Sequence, residues 1–308
     1  MRYGIAGNPH KEQIWEPVAE LVSWLMRQDL PFCLHQDVAE GLRERELVGE
    51  AVCSENATGN LAAASDVVLS YGGDGTLLRT AHALGDGETP IAGVNIGRLG
   101  FLADLDTDGV EEAVQQFEDG AYHVEERLVL QAEARLHGDG DAPDLSARWA
   151  LNEFVVDRSG ATGLLEIEVR AGGAPLNTYW ADGLIFATPT GSTAYSLSAG
   201  GPLLAPGTEA VILTPIAPHT LTVRPIVLPA DTAIEVRVRS GGQPYVFAAD
   251  GRNNPIETDG VIFSVERAAH TVNLAKLDGQ SYFKTLRSKL MWGAQGARER
   301  GRAGAWGG

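Results

Sequence analysis

Between Asp66 and Leu84 the chain runs from a short apolar segment, Asp66-Val67-Val68-Leu69-Ser70, through Tyr71-Gly72-Gly73-Asp74-Gly75-Thr76 into a helical stretch beginning at Leu77. A buried strand that turns at glycines straight into a helix is the unit from which parallel sheets are built, and that restricts the fold. Glycines at such a junction let the backbone approach a ligand closely, and the first N–H groups of the helix attract anions. Asp74 has little structural purpose in that bend. Beside bound phosphate it points to phosphoryl transfer. The plain alternative is a tight strand-to-helix turn. The loop is not a Walker A element, since no Gly-Lys-Ser/Thr occurs and no lysine lies near it in the sequence. Nor does it carry glycines at the first, third and sixth positions of a dinucleotide fingerprint.

The alternation continues on both sides of this loop. Arg2 to Ala6 reads as a strand, and Lys11 to Arg27 has helical spacing, with Ile14, Val18, Leu21, Val22 and Leu25 on one face. Leu30 to Leu34 and Ile91 to Asn95 read as further strands, the second leaving through Gly97-Arg98-Leu99-Gly100-Phe101. From about Tyr122 period-two alternation takes over, as in Leu128 to Leu136, Leu164 to Val169, Ala210 to Leu213, Ile234 to Val238 and Tyr245 to Ala248. His137 to Asp144 reads as a hairpin tip. The expected architecture is an N-terminal Rossmann-like α/β domain over residues 1–106, then a β-rich sandwich domain over 107–280. A helix at 281–292 returns to the first domain, and a Gly/Ala/Arg-rich tail at 293–308 reads as disordered.

The chain has 308 residues and a formal net charge of −17, from 41 acidic against 24 basic residues. An acidic surface with only four lysines argues against nucleic acid and anionic membrane as partners. It would suit a high-salt interior. Cys33 and Cys53 are the only cysteines, which excludes a disulfide framework and leaves no zinc-ligand spacing. The N-terminus carries no signal-peptide pattern, and no apolar run is long enough to span a bilayer. A cytoplasmic setting is expected, with no metal-ligating residues assigned.

Three other segments carry polar groups in unusual places. Asp182 to Ala187 delivers an apolar strand into Thr188-Pro189-Thr190-Gly191-Ser192-Thr193-Ala194-Tyr195-Ser196-Leu197-Ser198. Its hydroxyls can read a base or ribose edge and Tyr195 can stack on a ring, although a serine-capped helix start would also account for Ser192. Asn152-Glu153 places an amide and a carboxylate at the head of a strand. Asp250-Gly251-Arg252 reads either as a site or as an ordinary hairpin turn. A serine hydrolase is disfavoured because Gly-x-Ser-x-Gly is absent.

Taken together, Gly72-Gly73-Asp74-Gly75-Thr76, Asn152-Glu153, Asp182-Gly183 and Thr188 to Ser196 resemble the NAD kinase family, in that family's order. Asn95 to Leu102 and Ser281-Tyr282-Phe283 look like family segments as well, so the likeness covers residues 3–292. It implies transfer of the γ-phosphoryl group of ATP to the 2′-hydroxyl of the adenosine ribose of NAD, with Mg²⁺, in a homodimer or homotetramer. The resemblance assigns Asp74 as the proton acceptor, with organisation of Mg²⁺ as its alternative role, and Gly72, Gly73, Gly75, Thr76 and Arg79 to the phosphate side. Asn152, Glu153, Asp182, Ser192, Thr193, Ala194, Tyr195, Ser196, Ser198 and Ala217 match the dinucleotide pocket. Trp180 stands where donor preference is set, and Arg252 replaces a neutral polar residue, so both bear on pocket contacts. With the acidic charge, the resemblance predicts a halophilic archaeal source. Other kinases with a glycine–aspartate loop, and a silent dinucleotide-binding regulator, are the competing readings.

Overall fold

The computed structural model describes residues 1–97, 100–136, 143–158, 160 and 163–291. Arg98, Leu99, most of the expected hairpin tip (137–142) and the expected disordered tail therefore lie outside the described residues. Contacts divide the chain into two units. One comprises Met1–Ala83, Ile91–His123 and Ala275–Gly308, and the other Leu84–Pro90 and Val124–Leu274.

The first unit is built on six parallel strands: β1 (Tyr3–Gly7), β2 (Phe32–His35), β3 (Ala57–Thr58), β4 (Val67–Gly72), β5 (Ile91–Asn95) and β6 (Ala103–Asp106). Their spatial order is β3-β2-β1-β4-β5-β6. The chain works outward one way from β1 and then the other way from β4, so the topological switch lies between those two strands. Ligands of open α/β sheets bind at the carboxyl ends of strands on either side of such a point. The glycine loop leaves β4 there. β4 and β5 are buried at every position, which explains why they read as continuous apolar runs rather than as alternation.

The helix Trp15–Arg27 packs Trp15, Val18, Leu21, Val22 and Leu25 into the core with Tyr3, Ile5, Val67 and Leu69. Its first turn holds Pro17, where the missing N–H costs nothing, and the preceding Glu12–Ile14 forms a 3₁₀ turn. The helix Val110–Glu118 packs into the same core through Val110, Ala113, Val114 and Phe117. This carries the first unit on to His123, close to the change of texture at Tyr122 and past the expected domain boundary at 106. The helix Tyr282–Leu290 also belongs to this unit and buries Leu286.

The second unit is a β-sandwich. One sheet contains β7 (Tyr122–Leu136), β8 (Trp149–Ala150), β10 (Leu165–Ala171), β11 (Ala174–Ala181), β15 (Ile234–Arg239) and β18 (Val261–Leu277), in the order β11-β10-β15-β18-β7-β8. The other contains β9 (Glu153–Asp157), β12 (Gly183–Ala187), β13 (Ala210–Ile216), β14 (Ile226–Pro229), β16 (Tyr245–Ala249) and β17 (Arg252–Ile256), in the order β14-β13-β12-β9-β16-β17. Ile167, Val169, Val236, Val238 and Phe263 from the first sheet share one core with Phe154, Val156, Leu184, Phe186 and Phe247 from the second. Phe247 stacks on Phe263 with ring centroids 4.1 Å apart. β10 and β15 show the strict alternation expected of one-face burial.

Candidate active site

The helix after the glycine loop begins at Asp74 rather than at Leu77, so Asp74 occupies its first position. Three glycines within the first five residues of the motif hide this start from propensity reasoning. The glycines differ in why they are needed. At Gly72 a Cβ would lie 2.1 Å from the Thr76 hydroxyl, so the helix start itself excludes a side chain there. At Gly73 and Gly75, among the described residues, nothing beyond the chain neighbours and the helix's own backbone lies within 4 Å of an added Cβ, and neither has a left-handed φ. The chain's own packing does not require them to be glycine. The Arg79 guanidinium, one turn along the helix, donates to Thr76 Oγ1 at 3.2 Å.

Asp74 does have a structural role, contrary to the expectation from sequence. Its Oδ1 accepts the N–H groups of Leu102 (3.0 Å) and Ala103 (3.1 Å), and its Oδ2 accepts that of Phe101 (2.9 Å). The carboxylate lies so close to Gly100 that a Cβ there would be 1.9 Å from Oδ1. The same segment is fixed from β18 by buried Lys276, whose Nζ donates to Asp104 Oδ2 at 2.8 Å and to the Leu102 carbonyl at 3.3 Å. A carboxylate offers about four acceptor positions. Three are used here, and the fourth belongs to Oδ2.

A lysine also stands beside the loop, although none is near it in sequence. Lys289 Nζ, from the helix Tyr282–Leu290, lies 3.7 Å from Asp74 Oδ2 and 4.7 Å from the centroid of the Phe101 ring. Sequence reasoning could not find it, because 215 positions separate the pair (289 − 74).

In the second unit the Asn152-Glu153 turn is held by Asp250. Asp250 Oδ2 accepts from Leu151 N at 2.8 Å, while Oδ1 accepts from Asn152 N at 2.8 Å and Glu153 N at 3.2 Å. Asp250 itself adopts φ +48°, a conformation that favours glycine and that Asp tolerates better than most. It is therefore more than an ordinary hairpin residue. Glu153 is buried, and one of its oxygens, Oε2, has no hydrogen-bond partner among the described residues. Burial, and then the Asp250 charge, raise its pKa to about 8, against a lowering contribution from the Tyr195 backbone N–H.

The hydroxyl-rich segment is mostly turned inward, which corrects the expectation that its hydroxyls face a ligand. Thr188 Oγ1 donates to the Leu151 carbonyl at 2.5 Å, and Ser192 Oγ donates to the Pro189 carbonyl at 2.6 Å. Ser196 Oγ pairs with Thr214 Oγ1 at 2.9 Å, and Thr193 Oγ1 donates to the Thr190 carbonyl at 3.1 Å. Ser192 and Ser196 are wholly buried, and Ser192 caps no helix. Gly191 is required because a Cβ would lie 2.1 Å from the Asn152 carbonyl. The segment thus packs its backbone on the Asn152-Glu153 turn. Tyr195 and Ser198 are exposed, and Ala194 is half-buried.

Around the Tyr195 phenol stand Asp157, Asp182 and Glu153, whose charges add to burial in raising its pKa. Asp182 pairs with Arg158 at 3.3 Å, a partner that sequence reasoning missed. Trp180 is 49% exposed on the edge strand β11, and its carbonyl accepts from His219 N at 2.8 Å. Ala217, just past β13, has φ +43°, which is costly for a residue with a Cβ. Arg252 is exposed at the start of β17. The structure thus gathers Gly72, Gly73, Asp74, Gly75, Thr76 and Arg79 in the first unit, and Asn152, Glu153, Asp182 and Tyr195 in the second.

Residues 3–122 match the family model for the ATP-NAD kinase N-terminal domain, and residues 151–277 that for the ATP-NAD kinase C-terminal domain. Similar curated proteins include the NAD kinase of Cytophaga hutchinsonii, 35% identical over 95% of this chain and 98% of that protein. The NAD kinase of Gemmatimonas aurantiaca is 43% identical over 76% of this chain and 80% of its own. Among solved structures, yeast NADH kinase complexed with NADH shares the fold with a TM-score of 0.82 at 23% identity, over 96% of this chain and 89% of that one. An NAD kinase from Archaeoglobus fulgidus in complex with ATP does so at 0.71 and 24%, over 94% of this chain and 99% of that one. The curated relatives are bacterial, so a halophilic archaeal source is not supported. An acidic surface reports on solubility and association, and does not identify a lineage.

Proposed function

The chain belongs to the NAD kinase family, and from that premise we propose that Asp74 accepts the proton of the ribose hydroxyl through Oδ2. The activity is transfer of the γ-phosphoryl group of ATP to the 2′-hydroxyl of the adenosine ribose of NAD. The bond between O2′ and the γ-phosphorus forms, the bond from that phosphorus to the bridging oxygen breaks, and ADP leaves. The observation that carries the assignment is the half-committed state of Oδ2. Three N–H groups fix the carboxylate's direction, while one acceptor position of Oδ2 takes no hydrogen bond among the described residues and is faced only by the Lys289 ammonium at 3.7 Å. Phosphoryl transfer passes through a loose transition state with little bonding to the nucleophile, so an aimed acceptor serves better than a strong base.

The space over Gly73 and Gly75 supports placing the donor phosphates at the head of this helix, where free N–H groups stabilise anions. Asn152, Glu153 and the exposed ring of Tyr195 form the proposed coenzyme side, with Asp182, Trp180, Ala217 and Arg252 at its edges. No group of three or more His, Cys, Asp or Glu is placed to hold a metal ion among the described residues. Mg²⁺ would be carried on the donor phosphates, where it would neutralise charge on the transferring group. We further assign a cytoplasmic setting, supported by two buried free cysteines, and a homodimer or homotetramer, which light scattering would test.

The test is an assay with NAD, ATP and Mg²⁺, scored by a strictly NADP-dependent dehydrogenase. Asp74→Asn sets an amide N–H against one of the three N–H donors, at a cost of about 1–3 kcal/mol of stability, and should keep NAD binding while losing about 10²–10⁴-fold in kcat. Near-normal turnover in that variant would refute the assignment. Binding of NAD without product in the parent protein would favour a regulator.

A further inference from the structure

We propose that Lys289 is the phosphate-binding cation of the glycine loop, pairing with Asp74 and with the terminal phosphate of the donor. The proposal rests on the reading that phosphoryl transfer takes place at Asp74. Its ammonium is 3.7 Å from Asp74 Oδ2, longer than the roughly 2.7–2.9 Å of a charge-assisted hydrogen bond. Among the described residues it makes no hydrogen bond, only this ion pair and the contact with the Phe101 ring. Among the described residues its three N–H donors are therefore uncommitted, on a side chain that is 26% exposed.

The contrast with Lys276 is instructive. That lysine is 5% exposed and spends its donors on Asp104 and the Leu102 carbonyl, fixing the segment that holds Asp74. Lys289 fixes nothing by hydrogen bonding among the described residues. A second, independent feature lies in the loop. Gly73 and Gly75 leave open the space a side chain would fill, although neither backbone strain nor crowding requires glycine there. An uncommitted ammonium beside a cleared anion-binding helix start suits a polyanion. By contrast, Arg45 with Glu12 in the same unit is closed at 3.0 Å.

In the reaction Lys289 keeps all its protons. The hydroxyl proton goes to Asp74, the phosphoryl group goes to O2′, and the leaving electron pair stays on ADP. The ammonium spreads the charge of the transferring group, the role a lysine plays as a point charge on phosphates. Its move from carboxylate to phosphate would also leave Asp74 Oδ2 open to the hydroxyl.

The experiment uses the full chain with Lys289→Met and Lys289→Arg, and inorganic tripolyphosphate as the probe. Tripolyphosphate should inhibit the parent competitively with ATP. In Lys289→Met its inhibition constant should rise about tenfold, as for loss of one charge-assisted contact. Lys289→Arg should stay within about threefold of the parent, since its charge is retained. The KM for NAD and the affinity for adenosine, which has no phosphate, should not change in either variant. Should Lys289→Met fail to fold by circular dichroism, Lys289→Gln carries the same readout. Equal inhibition of parent and variant, or no inhibition of the parent, would overturn the proposal. So would an equal loss of adenosine affinity, which would indicate a structural role. Failure of the base assignment would appear separately, as turnover in Asp74→Asn.

Discussion

Asp74 and Asp250 use the same device in the two units. Each carboxylate receives three consecutive backbone N–H groups from a distant loop, residues 101–103 in one case and 151–153 in the other. What surrounds them differs. Beside Asp74 stands an ammonium, with its side chain 30% exposed and cleared glycines around it. Asp250 faces Glu153, whose carboxyl is pushed toward the neutral form by burial first and by the Asp250 charge second. The same bonding therefore serves two ends. Where charge is compensated and an acceptor position is reachable, the cradle aims a reacting group. Where the neighbour is another acid, it sets the shape of a turn and adds to burial in keeping that neighbour protonated.

The sharpest way to break this comparison is to disturb the aim without removing the carboxylate. Gly100→Ala places a Cβ where Asp74 Oδ1 now lies, 1.9 Å away, so the carboxylate must move. A displacement of about 1 Å at a reacting group costs on the order of 10²-fold, and kcat should fall by that much. Gly73→Ala meets nothing within 4 Å, so it should leave the melting temperature unchanged. If Gly100→Ala keeps full kcat, Asp74 is not used in the orientation seen here.

The next effect is smaller and falls on the other unit. Asp250→Asn keeps the size of the side chain and tolerates the φ of +48°, but sets an amide N–H against one of three N–H donors. The cost should be about 1–3 kcal/mol of stability, measured by chemical denaturation. The KM for NAD should rise by about tenfold, or 1.4 kcal/mol, with the KM for ATP unchanged. Equal rises in both constants would show that Asp250 acts through general stability and not through the Asn152-Glu153 turn.

Much of this arrangement was legible in the residues, and the limits have a common physical cause. The apolar runs of β4 and β5 and the alternation of β10 and β15 follow from burial on two faces or on one, which local pattern records. The glycine–aspartate loop was readable as a site because its chemistry is local. Partners are not local. Nothing in Asp74 names residues 101–103 or Lys289 as its partners, and nothing in Asp182 names Arg158. Ser192 and Ser196 show the same gap in reverse, since a hydroxyl in the sequence looks alike whether it meets a ligand or Pro189 and Thr214. The acidity of the surface was legible too, but charge alone is compatible with more than one habitat.

The smallest effect follows from the protonation of Glu153. Its pKa is raised to about 8, by burial first and by Asp250 second, so between the ordinary carboxylate value of about 4.5 and about 8 the folded state holds a proton that the unfolded state has lost. Stability from this group is therefore full at acid pH and is lost as pH rises through that window. The slope is at most about 1.4 kcal/mol per pH unit. Glu153→Gln should flatten this part of the stability profile. Asp250→Asn should narrow the window from its upper end, because one of the two causes of the rise is gone. Denaturation curves collected from about pH 5 to about pH 9 would resolve both. A profile with the same slope in the parent and in Glu153→Gln would mean that Glu153 is ionised in the fold, and Asp250 would then be a second anion that the turn must tolerate.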